Sequence, residues 1–184
     1  MTRTLILTAS PSSTSRTARF SQAVADRLRG LDVQSTVINI RDLPAEPLLH
    51  ARTDDPAIAA AVEALASAKG VIVATPVYKA AYSGLLKTFL DLLPQFALRE
   101  KVVLPLATGG TVAHVLALDY ALRPVLSSLD PLHIVGGLFV LDKQLTVEAD
   151  GSLTLDADVS SKVDLTLDAY VNALRRAAHD WKAA

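Results

Sequence analysis

Cysteine is absent from the 184 residues. That excludes disulfides, thiolate metal sites and a cysteine nucleophile. An excess of charge of either sign is missing too, since 18 Lys and Arg stand against 19 Asp and Glu, a net charge of −1. This leaves no electrostatic footprint for nucleic acid or for an anionic membrane surface. No apolar run reaches the roughly 20 residues that span a bilayer. The apolar part of Met1–Thr8 is too short for a secretory signal. The expectation is a cytoplasmic protein. His50, His133 and His179 show no metal-ligand spacing, and His114 falls within a helical stretch. No acid–base pair is assembled for hydrolysis.

What is present is apolar residue, at 51% slightly above the soluble average. The length predicts one domain, 1–184, with a sizeable core. Its centre is Val71–Tyr78. Val71 to Ala74 is a short β-branched run that reads as a strand buried on both faces. Pro76 has no N–H, so a loop is expected to begin at Thr75-Pro76.

In chain order, Thr4 to Ala9 reads as the first strand and Thr17 to Arg29 as a helix ended by Gly30. Val33 to Ile40 alternates and suits a strand near an edge. Arg41 to Asp55 has no clear period. Pro56 to Ala68 is a helix with Asp55 as its cap. After the central strand come a helix from Ser83 to Leu93 and a strand from Lys101 to Ala107. A helix from Val112 to Leu129 follows, interrupted by Pro124, then a strand from His133 to Leu141. Asp142 to Asp158 is polar, with Asp150-Gly151 as a hairpin turn, and Val159 to Trp181 closes the chain as a helix. Strands alternating with helices predict an α/β fold. The expected form is a flavodoxin-like, doubly wound, five-stranded parallel sheet of order 2-1-3-4-5 with helices on both faces. The lack of cysteine excludes the low-molecular-weight tyrosine phosphatases, which share this architecture.

In that order the carboxyl ends of the first, third and fourth strands lie side by side, so their loops form one site. The first loop carries Ser10, Ser12, Ser13, Thr14, Ser15 and Thr17 as hydroxyl donors and Arg16 as a forked cation. A helix N-terminus follows. The loop has neither Gly-x-Gly-x-x-Gly nor the glycine-lysine ending of a P-loop, so a lone phosphomonoester fits better than a dinucleotide. The second loop offers Pro76, Val77, Tyr78 and Lys79. The third, Thr108-Gly109-Gly110-Thr111, lets backbone approach a flat ligand. A phosphate joined to a planar heterocycle suits the three together, and FMN is the commonest such group on this topology. Amides and Lys79 near the ring would favour the negative charge of reduced flavin.

Three segments carry a family resemblance. They are Ser10-Pro11 with Ser15-Arg16, the run Ala74 to Lys87 (ATPVYKAAYSGLLK), and Leu104 to His114 (LPLATGGTVAH). Together they resemble the NADPH-dependent FMN reductases, in particular the reductase component of bacterial two-component alkanesulfonate monooxygenase systems. The similarity runs from the first strand to about Leu129 and weakens through the last third. One departure is Ala9, where many relatives carry glycine. The resemblance implies that Ser10, Ser13, Ser15 and Arg16 hold the FMN phosphate. It also implies that Pro76, Val77, Tyr78 and Lys79 line one side of the flavin and Thr108, Gly109, Gly110 and Thr111 the other. NADPH, or NADH, would stack on the ring and pass hydride to it, with no essential side-chain acid or base. Reduced FMN would then leave for a flavin-dependent monooxygenase. The alternatives are a reductase that keeps FMN and acts on quinones, azo dyes or metal oxyanions, and a flavodoxin-like electron carrier.

Helices 83–93 and 112–129 are too apolar for one buried face each, which predicts assembly through them as a homotetramer or dimer. Pro124 removes the N–H that would bond the Tyr120 carbonyl, so the helix should kink or bulge there. Asp119-Tyr120-Ala-Leu-Arg-Pro124 resembles the segment of the alkanesulfonate-system reductases that forms a π-helix at a tetramer interface near the flavin. The expectation is that Tyr120 tunes flavin exchange from that bulge.

Overall fold

The computed structural model describes residues 3–183. Met1, Thr2, Ala184 and the side chains of 179–183, His179 and Trp181 among them, lie outside the described residues. The chain builds β1 (Arg3–Thr8), α1 (Arg16–Gly30), β2 (Gln34–Asn39), α2 (Ala45–Leu49), α3 (Pro56–Ser67) and β3 (Gly70–Tyr78). It continues with β4 (Ala81–Tyr82), α4 (Gly84–Leu90), β5 (Val102–Gly109), α5 (Arg123–Ser127), β6 (His133–Ile134) and β7 (Leu138–Leu141). A hairpin of β8 (Leu145–Val147) and β9 (Leu153–Leu155) precedes the closing helix α6 (Ala157–Ala183).

The parallel sheet runs β2-β1-β3-β5-β6, with β7 also on β5. Successive side chains of each central strand enter opposite cores. Leu5, Leu7, Val71, Val73 and Val103 pack with α3 and α4 on one face. Ile6, Ile72, Ala74, Leu104 and Leu106 pack with α1 and α6 on the other. Gly70 is glycine for a packing reason, because a Cβ there would overlap the buried Tyr170 hydroxyl, which bonds Thr4 Oγ1 at 3.1 Å.

Several elements differ from the sequence reading. β3 does not stop at Thr75; it runs through Pro76 to Tyr78. The Ala74 carbonyl faces β1 and accepts from Ala9 N at 2.9 Å. The nitrogen of Pro76, two residues on, faces the same way. There β1 has already ended at Thr8, so the missing N–H costs no ladder bond. The fourth strand likewise extends through Thr108 to Gly109.

The strand expected over 133–141 is split. The Val103 carbonyl accepts from Val135 N at 2.8 Å, so the nitrogen of Pro105 also faces the fifth strand and has nothing to donate. Register slips by one residue across that point, from Val103↔Ile134 to Leu106↔Leu138. Gly136-Gly137 takes up the slip, and a Cβ on Gly137 would stand 2.8 Å from the Pro105 carbonyl oxygen.

The segment 41–55 contains the short helix α2. Gly30 is the last residue of α1, and the left-handed residue that turns the chain is Asp32, φ 60°. The 142–158 segment is the hairpin its Asp150-Gly151 turn implied, with Gly151 at φ 85°.

The strand β4 has no signal in the sequence. β3 and β4 form a hairpin with Tyr78 opposite Ala81, joined by Lys79 and Ala80 at φ 50° and 65°. Two consecutive left-handed residues are the mark of a type I′ turn, which normally uses Asn and Gly. An alanine in that conformation costs about 1–2 kcal/mol. Ala80→Gly should therefore raise stability by about 0.5–1 kcal/mol, the relief less the extra unfolded-state entropy of glycine. A higher urea midpoint at unchanged slope is the expected observation.

Candidate active site

The first loop is wired by its own hydroxyls. Ser15 caps α1, its Oγ accepting from Ala18 N at 3.0 Å. Ser12 Oγ accepts from Thr14 N at 3.2 Å, and Ser12 N lies 3.4 Å from Ser10 Oγ. Thr17, the second residue of the helix, is buried and shares a 2.7 Å hydrogen bond with Thr108 at the end of β5. That bond fixes the start of α1 over the end of β5. Arg16 is exposed and has no ion pair among the described residues.

Ser83 ties the second loop to the first. It is buried, its Oγ donates to the Ala9 carbonyl at 2.6 Å and accepts from Leu86 N at 3.2 Å. Its own N–H donates to Thr75 Oγ1 at 2.9 Å. One residue thus caps α4 and holds the exit of β1 with its side chain, and ties the end of β4 back to Thr75 with its main-chain N–H.

The three loops meet in a cavity of about 200 Å³ at the carboxyl edge of the sheet. Of the expected site residues it gathers Ser10, Ser15, Arg16, Pro76, Val77, Tyr78, Thr108 and Gly109. Ser13 does not line it; it faces a neighbouring depression between α1 and the β8–β9 hairpin. Lys79 stands on the hairpin turn beyond Tyr78, outside the cavity lining. Gly110 and Thr111 also fall outside, and Thr111 Oγ1 instead accepts from Ala113 N at 3.3 Å. Gly109 also has a packing reason to be glycine, since a Cβ there would meet the Phe139 ring at 2.8 Å.

Ser12, Thr14 and Thr17 do line the cavity, as does Asp142, which the sequence reading left in a polar excursion. Its signal was positional: it follows the fifth strand, whose end lies beside that of β5 in this strand order. A larger depression of about 590 Å³, lined by Arg3, Arg29 and Asp32, sits at the amino ends of β1 and β2. That is the wrong edge for ligands of a doubly wound sheet.

The helix expected over 112–129 is broken into a turn at Val112–His114, a π-helix at Leu118–Leu122 and α5. Arg123 N donates to the Leu118 carbonyl, five residues back, which is π-type bonding. Tyr120 lies in this π-helix and is 79% exposed. With Ala80, His114 and Leu116 it lines a separate hollow of about 320 Å³. Val112, Val115 and Leu116 are exposed as well. The helix from 83 differs from expectation: α4 buries Leu86, Phe89 and Leu90, Leu93 follows them, and Leu85 and Leu92 are partly buried against the same core. Its apolar residues face mainly the core of the subunit, with Leu85 and Leu92 left partly exposed.

Chemically, the hydroxyl-rich loop, the Arg16 fork and the start of the 15-residue α1 suit a phosphomonoester. Pro76, Val77 and Tyr78 supply an apolar wall for a planar ring. No cluster of three or more His, Asp or Glu that could hold a metal occurs among the described residues. The donor set fits FMN.

Similarity to known proteins identifies the family. Residues 2–146 match the family model for NADPH-dependent FMN reductases. An FMN reductase (NADPH) from Escherichia coli strain K12 is 47% identical over 174 residues, 95% of this chain and 91% of that protein. A protein of the same name from Pseudomonas putida strain KT2440 is 49% identical over 136 residues, 74% of this chain and 69% of that one. The apo crystal structure of an NADH:FMN oxidoreductase, EmoB, matches with a TM-score of 0.85 at 41% identity, covering 92% of this chain and 88% of the other. The chain belongs to the NADPH-dependent FMN reductase family and is an NAD(P)H:FMN oxidoreductase.

Proposed function

We propose that this enzyme treats FMN as a passing substrate and supplies the reduced flavin to a separate flavin-dependent monooxygenase, of the sulfonate-assimilating type, in the cytoplasm. The whole chain, 1–184, acts as one flavin-binding unit. The observation that carries the reading is the size of the cavity, about 200 Å³. Pockets that enclose a drug-sized ligand run from about 300 to 1,000 Å³. This one takes a phosphate and part of the attached chain, and leaves the ring against a lip where Tyr78 is 48% exposed. A ligand held by one end and one face is held loosely.

In this reading Ser10, Ser15 and Arg16 bind the phosphate, with Ser12, Thr14 and Thr17 beside them. Pro76, Val77 and Tyr78 form the wall that orients the ring. Thr108 and Gly109 close the opposite side. Flavin supplies the two-electron chemistry when bound, and the protein supplies position and electrostatics. No side chain is needed as acid or base. The names of the relatives divide between NADPH and NADH, and both coenzymes are expected to serve.

Assembly as a homotetramer, or a dimer, is proposed through the exposed apolar face of 112–122. Tyr120 at its centre stands beside Ala80 of the hairpin that carries Tyr78. Contacts made by Tyr120 in the assembly would thus reach the flavin wall. Tyr120→Ala should lower the oligomer mass and change flavin retention; unchanged mass, retention and turnover would sink this role.

Gel filtration of the enzyme equilibrated with FMN tests the main proposal. The expected result is flavin separating from a protein peak of oligomer mass. Stoichiometric co-elution would instead favour a reductase that retains FMN and serves a quinone, azo or metal-oxyanion acceptor.

A further inference from the structure

Asp142 sits where a phosphate-binding cavity has no evident use for a carboxylate. β7 pairs with β5 so that Leu141 stands opposite Gly109. The next residue, Asp142, is therefore level with Gly110, and a Cβ on Gly110 would lie 3.9 Å from Asp142 Oδ2. Asp142 lines the same cavity as Ser10, Ser12, Thr14, Ser15, Arg16 and Thr17. Its side chain is half-buried and makes no hydrogen bond or ion pair among the described residues, although Arg16 lines the same space. Asp142 and Arg16 thus border one small cavity.

The hydroxyls there can each donate to an anion, and Arg16 carries a positive charge. A phosphomonoester carries about −1.5 to −2 charge at neutral pH. A carboxylate on the wall of the same cavity repels it, the more so where water is partly excluded.

We propose that Asp142 is an electrostatic release element. It holds the affinity for the phosphate of FMN below what the loop and Arg16 would otherwise give, and so keeps the flavin exchanging. The proposal rests on the reading that reduced FMN leaves the enzyme. It assigns Asp142 no contact with the reacting atoms; the residue acts through the field in the phosphate cavity.

The test compares wild type, Asp142→Asn and Asp142→Glu in flavin-fluorescence titrations with FMN and with riboflavin, which has the same ring and ribityl chain but no phosphate. Asn is nearly isosteric and breaks no bond, and matching thermal melts confirm that the variants fold. Asp142→Asn should tighten FMN about three- to tenfold at low salt, with the gain shrinking as salt rises. Riboflavin should stay within about twofold, and Asp142→Glu should behave as wild type. Unchanged or weaker FMN binding in Asp142→Asn would overturn the proposal. So would equal tightening of riboflavin. Equal weakening of both flavins would mean that Asp142 accepts hydrogen bonds from the shared part of the ligand. These outcomes are separable from the release reading itself. Wild-type enzyme that keeps FMN through gel filtration refutes release whatever Asp142→Asn does, whereas free exchange with no effect of Asp142→Asn refutes only this role.

Discussion

Arg16→Ala weakens FMN binding by about 10- to 100-fold and leaves riboflavin within about threefold, which is the expected result of removing a charge-assisted contact to phosphate alone. Arg16 is the first residue of α1, lines the cavity, and spends its charge on no carboxylate among the described residues. Because it is exposed, removing it leaves no buried group unpaired, and stability should move by less than about 0.5 kcal/mol. Arg16→Lys keeps the charge and loses the fork, so it should recover part of the affinity. Isothermal or fluorescence titration with the two flavins reads all of this. Equal losses for FMN and riboflavin would place Arg16 against the ring or ribityl chain instead. Ser13→Ala is the internal control: Ser13 faces the neighbouring depression, and FMN affinity should not change.

The second large effect is on the scaffold. Ser83→Ala removes the cap of α4 and leaves the Ala9 carbonyl without its donor. An N-cap contributes about 1 kcal/mol, and a buried acceptor left unpaired costs about 1–3 kcal/mol. The sum is about 2–4 kcal/mol, a fall in Tm on the order of 5–15 °C for a chain of this size. Denaturant or thermal unfolding measures it. Since Ala9 leads directly into Ser10, the same change should also loosen FMN. Ser83→Ala is therefore expected to reduce both stability and affinity, where Arg16→Ala reduces affinity alone.

Much of this was legible in the residues. The β-branched runs at Val71–Ala74 and Val102–Val103 and the helical patches between them set the strand order, and the order alone brings three loops together. The hydroxyls and arginine of 10–17 marked the loop that, Ser13 apart, does line the cavity. What escaped reading were features that depend on a neighbour. Whether Pro76 ends a strand depends on whether β1 still runs beside it, and β1 stops two residues earlier in register. Pro105 breaks the ladder instead, because its missing N–H faces an existing partner. The Lys79-Ala80 turn carries neither glycine nor asparagine, so its left-handed backbone has no local signature. The close packing of Phe139 on Gly109 had no local signal either. Asp142 lay in a polar stretch with no motif, and only the alignment of β7 with β5 carries it to the cavity. The π-helix is the opposite case. Pro124 and the resemblance around Tyr120 pointed to it, and Leu118–Leu122 adopts it.

The central claim is that FMN passes through a half-open site and departs reduced. Anaerobic NADPH oxidation in the presence of a large excess of free FMN tests it most directly. The account predicts that bulk FMN is reduced mole for mole with NADPH, over many equivalents per subunit, until one of them runs out. Reduction that halts at one flavin per subunit would contradict it.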